Sequence, residues 1–235
     1  MLIAANFKTN KTRQETLDYY RDVKRYIEKN SIDVDSMIFP PATALNRFDG
    51  PIQVGIQNAF AVENGAFTGE IGLDQLREFK IKTILIGHSE RRHILGESQE
   101  LIIEKFDYFK AQGFTIVYCI GEPLEVREEG SEALMAYLDQ QLEGIDLNYE
   151  RLVIAYEPVW AIGTGLTPTA DEVELIHTAL RQKIKAPILY GGSVKVNNAE
   201  ELLSLDNVDG ALIGSGALQP ENYCTILEIA NTLNP

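Results

Sequence analysis

The chain has 235 residues, 45% hydrophobic and 24% charged, the proportions of an ordinary globular protein with a large core. Its formal net charge of −14 argues against a general nucleic-acid binder and against docking on an anionic membrane. Two cysteines, Cys119 and Cys224, stand far apart without a CxxC pair, which excludes a disulfide framework or zinc ribbon and suits a reducing compartment.

No apolar run approaches the roughly 20 residues of a membrane span. The opening Met1-Leu2-Ile3-Ala4-Ala5-Asn6 lacks the basic region and cleavage pattern of a signal peptide, so a cytoplasmic location is expected. In chain order, short apolar runs predict strands over 2–6, 36–39, 52–57, 83–87, 115–120, 152–156, 188–190 and 210–214. Most are nearly continuously hydrophobic, as parallel strands buried on both faces require. Between them lie helical patterns: Leu17, Tyr20, Val23 and Ile27 share one face, as do Leu134, Leu138 and Leu142. Val173, Ile176, Leu180 and Ile184 repeat the spacing.

Eight such units without a break predict an α/β fold closed as a (βα)8 barrel, with residues 1–235 forming one catalytic domain. An open doubly wound sheet usually has fewer strands and a glycine loop after the first. Here the first strand ends in Asn6-Phe7-Lys8. Only residues 40–51 separate the second and third strands, so the second helix is expected to be stunted.

All strands of such a barrel emerge at one face, where function collects. The residues that break the apolar runs there are Asn6 and Lys8, Gln57 and Asn58, His88 and Glu90, Glu122, Glu157, Gly191-Gly192-Ser193 and Gly214-Ser215. Singly, each has a bland reading: a surface lysine, a hydrogen-bonded histidine at a helix start, a solvated carboxylate, and for Cys119 a small buried hydrophobe. As a set, a lysine, a histidine and a glutamate without metal-ligand spacing point to proton transfer next to a carbonyl. The carboxylate takes a carbon-bound proton while the cation and imidazole stabilise the oxygen. Gly87-His88-Ser89-Glu90-Arg91 lacks the final glycine of a serine-hydrolase elbow. Gly163-Thr164-Gly165 lacks the third glycine of a dinucleotide fingerprint, and no Walker lysine follows a glycine loop, so no nucleotide cofactor is expected.

Directly after Glu157, residues 158–169 read Pro-Val-Trp-Ala-Ile-Gly-Thr-Gly-Leu-Thr-Pro-Thr. Stiff ends around an apolar, glycine-containing centre suit a lid that excludes water, the alternative being a static loop on which Trp160 packs. The glycine clusters after the seventh and eighth strands fall where barrels of this type hold phosphate on main-chain N–H groups. Local donors of that kind, with Lys8, would let an acidic chain bind a dianion.

Together these stretches resemble the triosephosphate isomerase family over nearly the whole chain, from Ala5 to about Leu218. The motifs are Asn6-Phe7-Lys8, Gln57-Asn58, Gly65-Ala66-Phe67-Thr68-Gly69-Glu70, Ile86-Gly87-His88-Ser89-Glu90-Arg91-Arg92, Cys119-Ile120-Gly121-Glu122, Ala155-Tyr156-Glu157-Pro158-Val159-Trp160-Ala161-Ile162-Gly163-Thr164-Gly165 and Tyr190-Gly191-Gly192-Ser193. The resemblance implies a single TIM barrel that interconverts dihydroxyacetone phosphate and D-glyceraldehyde 3-phosphate through an enediolate, in glycolysis and gluconeogenesis, with no metal or organic cofactor. It implies Glu157 as the base, a neutral His88 exchanging protons with the two oxygens, and Lys8 stabilising their charge. Asn6 would place the substrate, and Gly163, Ser193, Gly214 and Ser215 would bind its phosphate. Glu90 and Cys119 would support the site, and Pro158, Trp160, Ile162, Gly163, Thr164 and Gly165 would build the lid.

The resemblance further implies a homodimer. The loop Gly65–Glu70, with Phe67 near its tip, would project into the partner, Thr68 would reach the partner's site near Asn6 and Glu90, and Glu70 would pair with Arg91 across the interface. The sequence departs from the family pattern at Leu166, Pro168 and Ser215, and its connections after strands two and six are short, which predicts shortened helices there. A sugar-phosphate epimerase is the competing enzyme reading, and a catalytically dead phosphate-binding barrel the competing non-enzyme one. The first normally carries metal-binding histidines and carboxylates in its strands, and the second would have lost Lys8, His88 or Glu157.

Overall fold

The structure, a computed structural model, describes residues 1–162 and 167–233. Eight parallel strands form its centre: β1 (Leu2–Asn6), β2 (Asp35–Phe39), β3 (Ile52–Val54), β4 (Thr83–Ile86), β5 (Thr115–Ile120), β6 (Leu152–Tyr156), β7 (Ile188–Tyr190) and β8 (Gly210–Ile213). They pair in the order β3-β2-β1-β8-β7-β6-β5-β4. A parallel bridge between Ile56 and Ile84 closes the ring. In it the Ile56 N–H donates to the Thr83 carbonyl and the Leu85 N–H to that of Ile56, each at 2.9 Å.

Strands β1, β5, β6 and β7 have the predicted bounds. The third is shorter than 52–57: it ends at Val54, and Gly55, whose N–H still donates to the Ile38 carbonyl at 2.9 Å, lies so close to Phe39 that a Cβ there would collide with the ring. Strands β4 and β8 end one residue early, before Gly87 and Gly214. At Gly87 a φ of 76° turns the chain toward the barrel mouth, a conformation that favours glycine.

Around the barrel lie α1 (Arg13–Asn30), α2 (Leu73–Glu78), α3 (Ser89–His93), α4 (Gln99–Ala111), α5 (Leu124–Glu128), α6 (Ser131–Leu142), α7 (Ala170–Arg181), α8 (Ala199–Leu203) and α9 (Pro220–Leu233). The second connection holds only a 3-10 turn, Ala42–Ala44, as its length predicts. The helix after β6 keeps 12 residues, as many as α6 after β5. A Thr169–Glu172 capping box and a three-turn apolar stripe sustain it. The short helices instead include α2, with six residues after β3, and α8, with five after β7.

The continuous apolar runs have a direct physical cause. Alternate residues such as Ala4, Phe39, Leu85, Val117, Cys119 and Leu212 pack inside the ring. Their neighbours Ile3, Ile38, Ile84, Tyr118 and Ile154 pack outward against the helices. Both faces of most strands lose water, so their polar alternation vanishes; β3, with Gln53 exposed, is the exception. On α1 the buried face is Thr16, Tyr19, Tyr20, Val23 and Ile27, and Leu17 is only half-buried. Tyr19 sets that rotation by donating its hydroxyl to the Ala217 carbonyl at 2.8 Å.

His177 of α7 is fully buried between the Tyr156 and Tyr190 rings, and burial pushes its pKa down to about 4. An unfolded histidine titrates near 6.5. Between those values the unfolded chain binds more protons, so stability must fall as pH drops through the window, by up to about 3 kcal/mol. Urea unfolding of His177→Phe across that range should show a flatter pH dependence than the wild type. An identical dependence would assign the acid loss to other groups.

Candidate active site

Glu157 follows β6 directly, and its N–H donates to the Ile120 carbonyl at 2.7 Å, which ties this residue to the neighbouring strand end. The residue is 2% exposed. One carboxylate oxygen lies 3.1 Å from His88 Nε2, and the other accepts the Ser89 N–H at 3.1 Å. His88 stands at the N-terminus of α3, where its Nδ1 accepts the Glu90 N–H at 3.2 Å. Lys8 is held in a left-handed conformation, φ 51°. The Asn6 carboxamide oxygen accepts its N–H at 3.0 Å, and Gln57 Nε2 donates to its carbonyl and to that of Phe39, each at 2.8 Å. Strained backbone of this kind persists only where its surroundings over-determine it. Lys8 Nζ then meets Glu90 Oε1 at 2.6 Å.

Burial pulls the pKa of Glu157 up, but its contact with His88, the Ser89 N–H and Lys8 outweigh it, so the carboxylate sits below its ordinary range. Burial likewise pulls His88 down, and the Glu157 charge and hydrogen bond raise it by more. The nitrogen that would take the extra proton, Nδ1, already faces the Glu90 N–H. Protonating it would set two donors head to head, so this geometry holds the neutral Nε2–H tautomer beside an ionised Glu157.

Asn6, Lys8, His88 and Glu157 line one cavity of about 150 Å³ with Ser193, Gly214 and Ser215. Among the described residues no protein acceptor takes the N–H of Ser193, Gly214 or Ser215. Glycines make the fit possible: a Cβ on Gly191 would lie 2.7 Å from Glu157 Cγ, and one on Gly216 would run into the Val194 carbonyl. The cavity thus joins an ionised carboxylate, a neutral imidazole donor and an ammonium to a rim of amides that suits an anion.

The comparisons with known proteins agree with this arrangement. The family model described as triosephosphate isomerase matches residues 1–230. The triosephosphate isomerase of Sulfurimonas denitrificans is 54% identical over 234 residues, covering 100% of this chain and 98% of the relative. That of a Sulfurovum species is 53% identical, covering 97% and 99%. That of Helicobacter pylori (strain ATCC 700392 / 26695) is 46% identical, covering 95% and 96%. The chain belongs to the triosephosphate isomerase family.

The other residues singled out on the family's motifs fall as follows. Glu90 touches Lys8, and Cys119 lies inside the barrel, where burial pushes its thiol pKa well up. Of the expected lid, Gly163, Thr164, Gly165 and Leu166 lie outside the described residues. Its first part is a 3-10 turn, Val159–Ala161, after Pro158. There Trp160 Nε1 donates to Glu122 Oε1 at 2.9 Å, and the Arg127 guanidinium lies 4.5 Å from the centroid of the Trp160 ring. Ile162 lines the cavity, and the Ser193 hydroxyl donates to the Ala161 carbonyl at 3.1 Å.

Phe67 is 45% exposed and stacks on Phe60, and Thr68 and Glu70 beside it are exposed as well. Arg91 pairs with Glu97 of its own chain at 3.1 Å. Beside the cavity opens a groove of about 630 Å³ walled by Gln57, Ile71, Glu90, Arg91, Ile94 and Leu95.

Three contributors carry no site role in the sequence reading. Gln57 was visible as a polar residue at a strand end, but not as the clamp on Lys8. The Ser89 N–H leaves no mark in a sequence, because every residue except proline has one. Asn10, which lines both cavity and groove, follows its strand by four positions and offers no periodic cue.

Proposed function

We propose that the chain interconverts dihydroxyacetone phosphate and D-glyceraldehyde 3-phosphate through an enediolate, and so serves glycolysis and gluconeogenesis as a single catalytic domain. The observation that carries this reading is one small cavity that holds Glu157, His88 and Lys8 together with the unpaired amides of the loops after β7 and β8. Glu157 takes a proton from C1 of the ketose. His88 Nε2–H donates to the carbonyl oxygen, and the Lys8 ammonium stabilises the charge that develops there. His88 then takes the proton of the C1 hydroxyl, which restores its Nε2–H as that oxygen becomes the new carbonyl, and return of the proton from Glu157 to C2 gives the aldose; the reverse passage regenerates the ketose. In the free enzyme Glu157 Oε1 is spent on His88 Nε2, so substrate must displace that contact before either group can act.

Asn6 helps to place the substrate, and Ser193, Gly214 and Ser215, with Gly163, take the phosphate on main-chain N–H groups. A Cβ on Ser215 leaves its N–H available, because that residue opens the 3-10 turn Ser215–Ala217. Pro158, Trp160, Ile162, Gly163, Thr164 and Gly165 form the segment that shuts out water, which would otherwise reach the enediolate. A coupled assay with dihydroxyacetone phosphate tests the reading, and absence of turnover by the purified wild-type protein removes it.

The same proposal includes a homodimer in which the loop of Phe67 and Thr68 enters the partner's groove and Glu70 meets Arg91. Exposed Ile94 and Leu95, 76% and 64%, provide the apolar wall such a loop would cover. Phe67→Asp should therefore sediment as a monomer with reduced activity, and an unchanged dimer would show that this loop does not anchor the contact. No helix of the described residues is long and apolar enough to cross a membrane, which is compatible with a cytoplasmic site of action.

A further inference from the structure

The charge around the cavity is nearly balanced. Its lining holds two cations, Lys8 and Lys195, and one carboxylate, Glu157. Lys8 is already joined to Glu90 at 2.6 Å. Without Lys195 the lining would offer a dianion no net positive charge, in a chain of net charge −14. Backbone amides hold a phosphate well once it arrives, but their field is short-ranged compared with that of a full charge.

Lys195 lies on the loop after β7, two residues past Ser193. Asn198 pins its root from both sides: the side-chain oxygen accepts the Lys195 N–H at 2.7 Å, and Nδ2 donates to the Ser193 carbonyl at 3.0 Å. The Lys195 carbonyl in turn accepts the N–H groups of Asn198 and Ala199, at 3.1 and 3.0 Å. The backbone at this position is therefore fixed, while the side chain is exposed. Among the described residues Lys195 has no ion-pair partner, unlike Lys8. It also borders a shallow hollow with Ser215, Gly216 and Asn222, so it stands between the two glycine loops that supply the amides.

We propose that Lys195 is a specificity-determining residue for the phosphorylated end of the substrate, a second cation that recruits the dianion and holds it over the amides of Ser193, Gly214 and Ser215. The proposal rests on the isomerase reading above for the identity of the substrate, but not for the binding of phosphate itself. Removing the charge acts on association and affinity, and leaves the Glu157–His88 chemistry in place. The interaction is solvent-exposed, so it is modest and salt-sensitive.

The test compares wild type, Lys195→Gln and Lys195→Arg at low and high ionic strength, by steady-state kinetics and by calorimetric titration with inorganic phosphate. At low salt Lys195→Gln should raise KM for D-glyceraldehyde 3-phosphate and the Kd of inorganic phosphate about fivefold. Turnover at saturation should stay within about twofold, and the salt dependence of kcat/KM should flatten. Lys195→Arg should restore both constants. The kcat/KM for unphosphorylated glyceraldehyde should not follow the loss, because that substrate lacks the dianion. If KM and the phosphate Kd are the same in wild type and Lys195→Gln at low salt, Lys195 is a solvated surface lysine and the proposal falls. If the wild type binds phosphate through Lys195 but turns over no triose phosphate, the isomerase reading falls while this one stands.

Discussion

Glu157→Asp should lower kcat about a hundredfold while changing KM by no more than a few-fold. The substitution withdraws the carboxylate by one methylene, about 1.5 Å, from a position set by three constraints. The Glu157 N–H is bonded to the Ile120 carbonyl, Ser89 fixes one carboxylate oxygen, and Gly191 packs against the side-chain stem. A rigid surround cannot follow the shortened side chain, and a misplacement of that order at the reacting atom costs roughly two decades in rate. That is about 2.7 kcal/mol of transition-state stabilisation. On the proposed reading the amides and cations at the other end of the cavity bind the substrate, so KM has little reason to change. Steady-state kinetics separate the outcomes: an equal loss in KM with kcat preserved would make Glu157 a binding residue and not the base.

The second large effect lies outside the cavity. Lys105 and Glu97 form an ion pair whose side chains are 3% and 4% exposed, and Lys105 Nζ also donates to Asn58 Oδ1 at 2.8 Å. Burial lowers the pKa of Lys105 even with Glu97 beside it. Glu97→Ala leaves the ammonium buried and without its counter-charge, which should cost about 3–5 kcal/mol in urea or thermal unfolding. It also frees Arg91, whose Nε bonds Glu97 at 3.1 Å and which follows His88 on α3. The double variant Glu97→Ala, Lys105→Met should recover much of the stability, since an apolar stem replaces the stranded charge. If Glu97→Ala unfolds like the wild type, the pair contributes nothing net and the buried lysine finds water instead.

Much of this molecule is legible in its sequence. Four strands have the predicted bounds because burial on both faces writes an unbroken apolar run, and the run stops where the chain reaches the solvent-facing end of the barrel. Glu157, His88 and Lys8 stood out for the same reason: each is the first polar break after, or just beyond, such a run. The early end of β3 was not legible, nor was the close approach of Gly55 to the Phe39 ring of the neighbouring strand, which is a contact between separate segments. Nor was the rotation of α1 away from Leu17, which depends on a hydrogen bond to Ala217, 198 residues distant in the chain.

The sequence by itself determined the barrel, and it marked Glu157, His88, Lys8 and the glycine loops after the last two strands as the candidate site. Those are properties of local composition and order along the chain. Only the tertiary structure decided that His88 keeps its proton on Nε2, that Gln57 clamps the strained Lys8, that Lys105 is buried against Glu97, and that Lys195 borders the cavity. Each of these depends on a distance between segments far apart in sequence. Such distances are set by how the closed ring packs against its helices, and no run of neighbouring residues encodes them.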